Sequence, residues 1–281
     1  METQNSSLSD LTSDALFTLA ISLELPDLLK FCRTSKKINN NVCKKDNIWY
    51  YKLNKDFPTW RQLQQQGIMN PKTLVPISDM ETPRDIYIGL YWYGIFKTLK
   101  EQLKIKEDIN EIYFLKNLSL NNNKIKVIPP EIGKLSNLQY LSLTNNQIKV
   151  IPKEIEQLSK LQQLYLRYNL ITEIPPEIGK LSNLQVLYLN NNVITVIPPE
   201  IEKLSNLKEL SLENNAITVI PPEIGQLSNL QILNLNNNVI KVIPPELGSL
   251  SNLQGLYLSE NDITVIPPKI KNMKYYDNFR F

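Results

Sequence analysis

The sequence predicts an α/β protein: a right-handed solenoid of about seven 23-residue repeats, with a parallel sheet on its concave face, preceded by a small all-α domain. Leucines recur every 23 residues from position 118 to position 256, and asparagines keep the same step from 123 to 261. The first 110 residues lack this period and contain all three tryptophans. A fixed period of this length is typical of stacked repeats, which bury their apolar faces against their neighbours.

Each repeat divides into a strand, a turn and a return segment. One unit, residues 184–206, reads LQVLYLNNNVITVIPPEIEKLSN, and its alternating leucines predict a short strand with one buried face. The asparagine after the strand has an amide that donates and accepts, so it can satisfy the backbone of the turn. Ile-Pro-Pro predicts extended or turn backbone, because proline fixes φ and lacks an N–H donor. The next stretch, such as Glu-Ile-Gly-Lys-Leu at 131–135, predicts a short helical turn on the convex side.

Asparagine triplets occur in three repeats, at 121–123, 190–192 and 236–238. The repeat requires only the third asparagine of each triplet, and we interpret the first two as compositional drift.

The pattern LxxLxLxxNxIxxIPxxIxxLxx resembles the leucine-rich repeat, and its 23-residue IPxxIxxL form is similar to that of Ras-group intracellular leucine-rich-repeat proteins. Seven copies cover residues 115–275, within a repeat domain that we place at 105–275. A degenerate half-repeat predicts an N-terminal cap, with apolar positions Ile105, Ile109, Ile112 and Leu115. Aromatic residues predict a C-terminal cap at 276–281, where Tyr276, Phe279 and Phe281 fall 23 residues after Leu253, Leu256 and Leu258.

The segment before the repeats has apolar residues at helical spacing. Residues 11–57 predict three short helices, separated at Pro26 and at the asparagines 39–41. The runs Leu-Pro-Asp-Leu-Leu at 25–29, Thr-Ser-Lys at 34–36 and Ile-Trp-Tyr-Tyr-Lys-Leu at 48–53 resemble an F-box. One departure is the opening, where Leu11-Thr12 replaces the usual Leu-Pro and weakens the expected first adaptor contact. The resemblance implies a Skp-type adaptor site made of Leu11, Leu16, Leu25, Leu28, Leu29, Ile48 and Trp49.

These assignments predict a flexible tail at 1–8, an F-box-like domain at 9–57, and a helical linker or N-terminal cap at 58–104. Within the linker, residues 82–103 predict one apolar helix, whose run IYIGLYWYGIF is too short to span a bilayer. Eight basic side chains lie in 30–55 against one acid, Asp46. One interpretation is a nucleic-acid patch, but no interleaving of aromatic residues suggests base stacking, which favours a solvated basic face. Those side chains are Lys30, Arg33, Lys36, Lys37, Lys44, Lys45, Lys52 and Lys55.

Composition argues against several functions. The chain has no histidine, which removes Ser-His-Asp catalysis and His-ligated zinc. Its two cysteines, Cys32 and Cys43, are interpreted as buried small hydrophobes. The 31 basic and 28 acidic residues nearly cancel, and no phosphate-binding glycine motif is present. We therefore expect no enzyme activity, cofactor, metal, nucleic-acid or membrane partner. The opening METQNSSLSD lacks an apolar signal region, so we expect a monomer that is not secreted and is located in the cytoplasm or the nucleus.

The third, fifth and seventh positions of each repeat alternate with the buried leucines and are predicted to face outward. On neighbouring strands they form a patch of tyrosine, arginine and valine, a composition typical of protein-binding hot spots. The alternative is ordinary sequence variation on a solvated sheet. The predicted partner-binding residues are Tyr140, Tyr165, Arg167, Val186 and Tyr188, with Glu209 and Glu213 setting charge preference and Tyr257 farther along the same face.

An F-box followed by leucine-rich repeats resembles the substrate-receptor subunits of cullin-RING ubiquitin ligases. This resemblance implies adaptor and cullin binding through the helical domain, and a target protein on the repeats. One alternative is an interaction scaffold without a ligase link. A second, an effector ligase with a catalytic cysteine, is disfavoured because both cysteines lie in the F-box-like stretch.

Overall fold

The computed structural model describes residues 16–17, 20, 22–33, 39–274 and 280. Two compact units make up this part of the chain. One contains the described residues up to Thr98 together with Asp108–Glu111, and the other contains Leu99–Glu107 and the described residues from Ile112 onwards.

The first unit is helical. Its α-helices are α1 (Leu25–Arg33), α2 (Asp46–Asp56), α3 (Trp60–Gln64) and most of α4 (Pro83–Leu103), with a 3-10 turn at Ile77–Asp79. The helices are separated close to both predicted positions. Pro26 lies in the first turn of α1, where its missing N–H costs nothing, and the break falls just before it, at Leu23 and Glu24. The asparagines 39–41 begin a π-helical turn, Asn39–Cys43, which lies between α1 and α2. The predicted apolar helix at 82–103 is α4.

Large side chains form the core of this helical unit. Trp49 is buried, donates its indole N–H to the carbonyl oxygen of Cys43 at 2.8 Å, and lies 5.9 Å from the Tyr87 ring. The Tyr87 hydroxyl donates to Asp56 at 2.6 Å, and burial is the main cause that raises its pKa. Lys52 corrects the expectation of a wholly solvated basic face, since it is buried and paired with Asp56 at 2.8 Å.

The two cysteines also differ from expectation. Cys32 and Cys43 are both buried, as predicted, but their sulfur atoms are bonded to each other. Their Cα atoms are 5.8 Å apart, within the range that a disulfide spans. The expectation of free buried thiols is therefore wrong in this structure.

The second unit is the predicted stack of repeats. Seven short parallel strands pair in chain order, and the register places Leu118 opposite Leu141 and Leu164 opposite Leu187, a step of one repeat. The central leucine of every strand is buried, which confirms the predicted inward face. Of the residues predicted to face outward, Ser142, Asn190 and Gly255 are buried and the others are half-buried or exposed. The strands are β1 (Asn117–Ser119), β2 (Tyr140–Ser142), β3 (Gln163–Tyr165), β4 (Val186–Tyr188), β5 (Glu209–Ser211), β6 (Ile232–Asn234) and β7 (Gly255–Tyr257).

In the first six repeats a five-residue 3-10 helix follows a proline or begins with one, and it forms the return segment. Proline fixes the φ angle at its start, and a buried Ile or Leu in its middle anchors it to the core. Neighbouring return segments pack closely: a Cβ added at Gly179 would lie 2.5 Å from the carbonyl oxygen of Glu200. These helices are Pro130–Lys134, Lys153–Gln157, Pro176–Lys180, Pro199–Lys203, Pro222–Gln226 and Pro245–Ser249.

The stack continues past the seventh strand. After a short helix, α5 (Pro268–Lys271), the backbone of Arg280 pairs in parallel with Tyr257, again one 23-residue step along the chain. The Arg280 N–H donates to the Leu256 carbonyl oxygen at 2.7 Å. Of the predicted C-terminal cap, Tyr276, Phe279 and Phe281 lie outside the described residues. At the other end, Ile105 and Ile112 are buried while Ile109 and Leu115 are half-buried.

Candidate binding surface

An asparagine ladder holds the strand ends of the repeats in place; it comprises Asn146, Asn169, Asn192, Asn215, Asn238 and Asn261. In one rung, the Asn192 amide donates to the carbonyl oxygens of Leu189 and Leu166 at 2.9 and 3.0 Å. Its side-chain oxygen accepts the Ile171 N–H at 3.0 Å. Each amide thus connects two repeats, as the predicted role of the third asparagine requires, and fixes the concave side chains next to it.

Three tyrosines on neighbouring strands form a contiguous row on the outward face. The ring centroids of Tyr140 and Tyr165 are 5.3 Å apart, and those of Tyr165 and Tyr188 are 5.2 Å apart in an edge-to-face arrangement. The Arg167 guanidinium lies over both neighbours, with Cζ 5.5 Å from the Tyr165 centroid and 5.1 Å from that of Tyr188. The half-buried Val186 precedes Tyr188 on β4 by two positions. We call Tyr140, Tyr165, Arg167 and Tyr188 the tyrosine–arginine cluster.

A hydrogen bond ties this cluster to one acidic residue of the next strand, Glu209, while a second acid, Glu213, is bonded elsewhere. The Tyr188 hydroxyl donates to the Glu209 carboxylate, and the Asn234 amide donates to Glu213 at 3.1 Å. Burial, followed by the bond to Glu209, raises the pKa of Tyr188 to about 12. Burial also raises the pKa of Tyr165. Both hydroxyls are therefore neutral donors at physiological pH.

The structure brings together most of the predicted partner-binding residues, but not all of them. Tyr140, Tyr165, Arg167 and Tyr188 are in contact, and Glu209 is joined to them through Tyr188. Glu213 follows the end of β5 by two residues, whereas Tyr257 lies on β7, three strands from Tyr188. Tyr257 is therefore a separate feature of the same sheet.

Sequence reasoning missed the role of the second residue of each asparagine triplet. Asn122, Asn191 and Asn237 have φ values of 63°, 59° and 52°. Asparagine adopts this left-handed backbone more readily than most residues, so drift is the wrong interpretation. The first asparagine also has a role where Asn121 accepts the Thr144 N–H at 2.8 Å.

Tyr168 is a further residue that the sequence analysis missed. It occupies the same left-handed position, with φ of 55°, and its side chain is 55% exposed. Aligning the repeats by their period reveals it, because five of the seven repeats have asparagine there and only one has an aromatic residue.

A second surface lies beside the strand ends, on the connections to the return segments. It is a groove of about 700 Å³ with valine and proline walls and two lysines. Val127 and Val150 are 70% and 67% exposed there. Its lining residues are Lys126, Val127, Ile128, Pro130, Gln147, Lys149, Val150, Pro152 and Leu170.

The residues expected to contact an adaptor are placed mainly in the core of the helical unit. Leu11 lies outside the described residues, and Leu29 is half-buried. The remaining five are buried against one another: Leu16, Leu25, Leu28, Ile48 and Trp49. Apolar spacing alone does not separate core positions from partner contacts, which explains this outcome. The structure gives these five a packing role, and an adaptor contact stays a prediction.

Among the described residues, no three His, Cys, Asp or Glu side chains gather as metal ligands. None of the described helices is long and apolar enough to cross a membrane.

The family model for the leucine-rich repeat matches this chain at residues 115–171, 160–217 and 205–263, which together span more than half of it. The chain belongs to the leucine-rich-repeat family, whose members generally act in protein–protein interaction. No protein with a curated description matches the sequence.

Several solved structures are similar to the repeat array. A leucine-rich-repeat protein of Leptospira interrogans is 44% identical over 57% of this chain and 41% of its own, with a TM-score of 0.56. The ectodomain of the Arabidopsis thaliana receptor kinase GASSHO1/SCHENGEN3, solved in complex with CASPARIAN STRIP INTEGRITY FACTOR 2, is 36% identical over 59% of this chain and 20% of its own, with a TM-score of 0.55. An internalin from Listeria monocytogenes is 32% identical over 59% and 48%, with a TM-score of 0.54. This chain therefore spans less than half the length of each.

Proposed function

We propose that this chain is a non-catalytic binding protein that holds a protein target on its concave strand face, between β2 and β5. The tyrosine–arginine cluster carries this proposal. Its side chains point away from the buried leucines, and the rings are fixed by mutual contact, so little conformational entropy is lost when a partner covers them. Tyrosine and arginine are also the residue types that most often dominate binding energy at protein interfaces.

The test is a paired measurement on Tyr165→Ala combined with Tyr188→Ala. Partners recovered by affinity purification and mass spectrometry are quantified for the wild type and the variant, and thermal unfolding is measured for both. We expect capture of a direct partner to fall by roughly thirtyfold, about 2 kcal/mol, with little change in melting temperature. Undiminished capture of the same partner would mean that the interface lies elsewhere, and the valine-walled groove would be the next surface to test.

A second proposal is that the helical unit docks a Skp-type adaptor, which would make the chain a substrate receptor of a cullin-RING ubiquitin ligase. The supporting observation is an exposed aromatic surface on α2, where Tyr50 and Tyr51 are each 44% exposed. The Phe17 ring lies 6.4 Å from that of Tyr51. Exposed aromatic residues in contact mark interaction sites more often than single exposed residues do.

Purified adaptor provides the test of the second proposal. The full chain should bind it at micromolar concentration, and Tyr50→Ser combined with Tyr51→Ser should abolish binding without unfolding. Leu28→Asp is an unsuitable variant, since Leu28 is completely buried and its change would unfold the unit. If wild-type protein shows no adaptor binding, the chain is an interaction scaffold without a ligase link.

A cytoplasmic or nuclear location stays part of this second proposal. The bond between Cys32 and Cys43 counts against it, because such bonds rarely persist in reducing compartments. Trapping free thiols at the moment of cell lysis, followed by mass spectrometry of the peptides with these cysteines, measures their state. Reduced thiols agree with the predicted location, and a bonded pair contradicts it.

A further inference from the structure

The third repeat departs from its neighbours at two adjacent positions, and both lie at the end of β3. Among the outward-facing third, fifth and seventh positions of the strands, Arg167 is the one basic residue. Tyr168 follows it at a position where five repeats have asparagine. The other repeats form the same fold without an arginine or a tyrosine at these positions, so the fold itself does not require these two residues.

Arg167 has no ionic partner in the part of the chain that the structure describes. Its guanidinium contacts two tyrosine rings, and its buried Nε–H has no hydrogen-bond acceptor. The nearby Glu209 is bonded to Tyr188 instead, and Glu213 to Asn234. Buried or half-buried cations in native proteins are usually paired, so an unpaired guanidinium between two rings indicates a partner supplied from outside.

Tyr168 gives an independent indication at the same place. A bulky side chain is unfavourable at φ of 55°, and the array adopts asparagine there in most repeats. Its exposed side chain does not contribute to the core that would offset this strain. Residues held in strained backbone are enriched at binding and active sites.

We propose that the end of β3 is a carboxylate-binding subsite, in which Arg167 pairs with an acidic side chain of a bound polypeptide and Tyr168 packs against the same segment. This inference rests on the proposed binding function of the concave face. The carboxylate belongs to a side chain within the segment, because the outward row continues on both sides of Arg167, from Tyr140 on β2 to Glu209 on β5. An occupant of the whole row must run past Arg167.

Charge complementarity specifies the sequence that the bound segment should have. Arg167 and Glu213 occupy equivalent positions two residues past the ends of β3 and β5, and these strands are two strand spacings, or roughly 10 Å, apart. An extended chain advances about 3.3 Å per residue. The preferred segment therefore has an acidic residue and, about three positions away, a basic one.

The probe is a phage-displayed library of random peptides selected on the full chain. We expect selected clones to be enriched in aspartate or glutamate. Synthetic versions of the best clone should bind roughly tenfold or more weakly when its acidic residue is replaced by the amide, or when the chain has Arg167→Gln. The two changes together should weaken binding no more than either alone, because they remove the same pair.

Tyr168→Asn provides a second readout. It should weaken peptide binding while raising the melting temperature by roughly 2–4 °C, since a strained residue is replaced by the one that the other repeats use. The matched control, Asn191→Tyr one repeat later, should lower the melting temperature and leave binding unchanged.

Three results would overturn the proposal: no enrichment of acidic peptides, equal binding to Arg167→Gln, or binding that needs a free peptide C-terminus instead of the side chain.

Tyr165→Ala combined with Tyr188→Ala distinguishes failure of the carboxylate subsite from failure of the proposed binding function. If this variant loses binding while Arg167→Gln keeps it, the concave face binds proteins but the carboxylate subsite is wrong. If neither variant changes binding, the proposed function fails as well.

Discussion

The two units of this protein are stabilised in different ways. In the repeat array, each layer is joined to the next by a buried leucine, a strand pair and one rung of the asparagine ladder, all one repeat apart. In the helical unit, a few large side chains connect distant segments, such as Trp49 with Tyr87. Damage to the array should therefore stay local, whereas damage to the helical unit should spread through it.

The largest expected effect comes from the helical unit. Trp49→Ala removes the most central buried ring and its hydrogen bond to Cys43, and should destabilise that unit by about 3–5 kcal/mol. Hydrogen exchange should then show lost protection through α1, α2 and α3 together, with β1–β7 unchanged. The control is Tyr50→Ala on the same helix, an exposed aromatic residue that should change little. Loss confined to the residues around position 49 would contradict a cooperative unit.

Asn192→Ala tests the opposite behaviour in the array. It removes one amide that makes hydrogen bonds to Leu166, Leu189 and Ile171, and leaves buried backbone groups unpaired. We expect a loss of about 2–4 kcal/mol, with hydrogen exchange increasing in the third and fourth repeats before the outer ones.

Asn206→Ala is the control for this change. Its exposed amide donates a single bond to the Ser182 carbonyl oxygen at 2.7 Å, so its loss should cost less than about 1 kcal/mol. Uniform loss of protection in all seven repeats of Asn192→Ala would show that the array is one cooperative block.

This difference also explains what the sequence could predict. In the array, a fixed period converts directly into geometry: Leu187 is inward and Tyr188 outward because every strand repeats one register. In the helical unit, the contacts that fix the core join residues on different segments of the chain, and no local sequence pattern predicts them. Lys52, which looked like a surface charge, is buried because its ammonium donates to the Leu23 carbonyl oxygen and pairs with Asp56.

The candidate site was predictable to the same extent. Periodicity predicts that Tyr165 and Arg167 face outward, and strand spacing predicts that they have Tyr188 as a neighbour. It does not predict that Tyr188 takes Glu209 as its acceptor while Arg167 stays without an acid, because side-chain pairing depends on rotamers. The strain at Tyr168 also needed a backbone angle, although the break in the asparagine column could have drawn attention to it.

A smaller effect is expected from close packing between return segments. Gly179→Ala would place a methyl group against the Glu200 carbonyl oxygen and should destabilise the array by about 1–2 kcal/mol. The equivalent position one repeat later is Glu202, which already has a Cβ, so Glu202→Ala should be nearly neutral. Thermal unfolding of both variants measures the difference. Equal melting temperatures would show that the segments shift apart without cost.

The last comparison is a titration of one tyrosine–carboxylate pair in each unit. Tyr188 has a pKa of about 12, raised by partial burial and by Glu209. Its unfolded value is about 10, so the stability that this shift represents, due first to burial and then to Glu209, is complete below pH ~10 and is lost as the pH rises through about 12. The ultraviolet absorbance of tyrosinate, taken as the difference between wild type and Tyr188→Phe, should show this step. In Glu209→Gln the pKa of Tyr188 should fall but stay above its ordinary value, because burial, the larger cause, remains.

Tyr87, almost fully buried and bonded to Asp56, should ionise only when the helical unit unfolds. A Tyr188 pKa that Glu209→Gln leaves unchanged would mean that the hydroxyl and the carboxylate do not meet in solution, and the acidic side of the concave face would then be free to bind a basic partner residue directly.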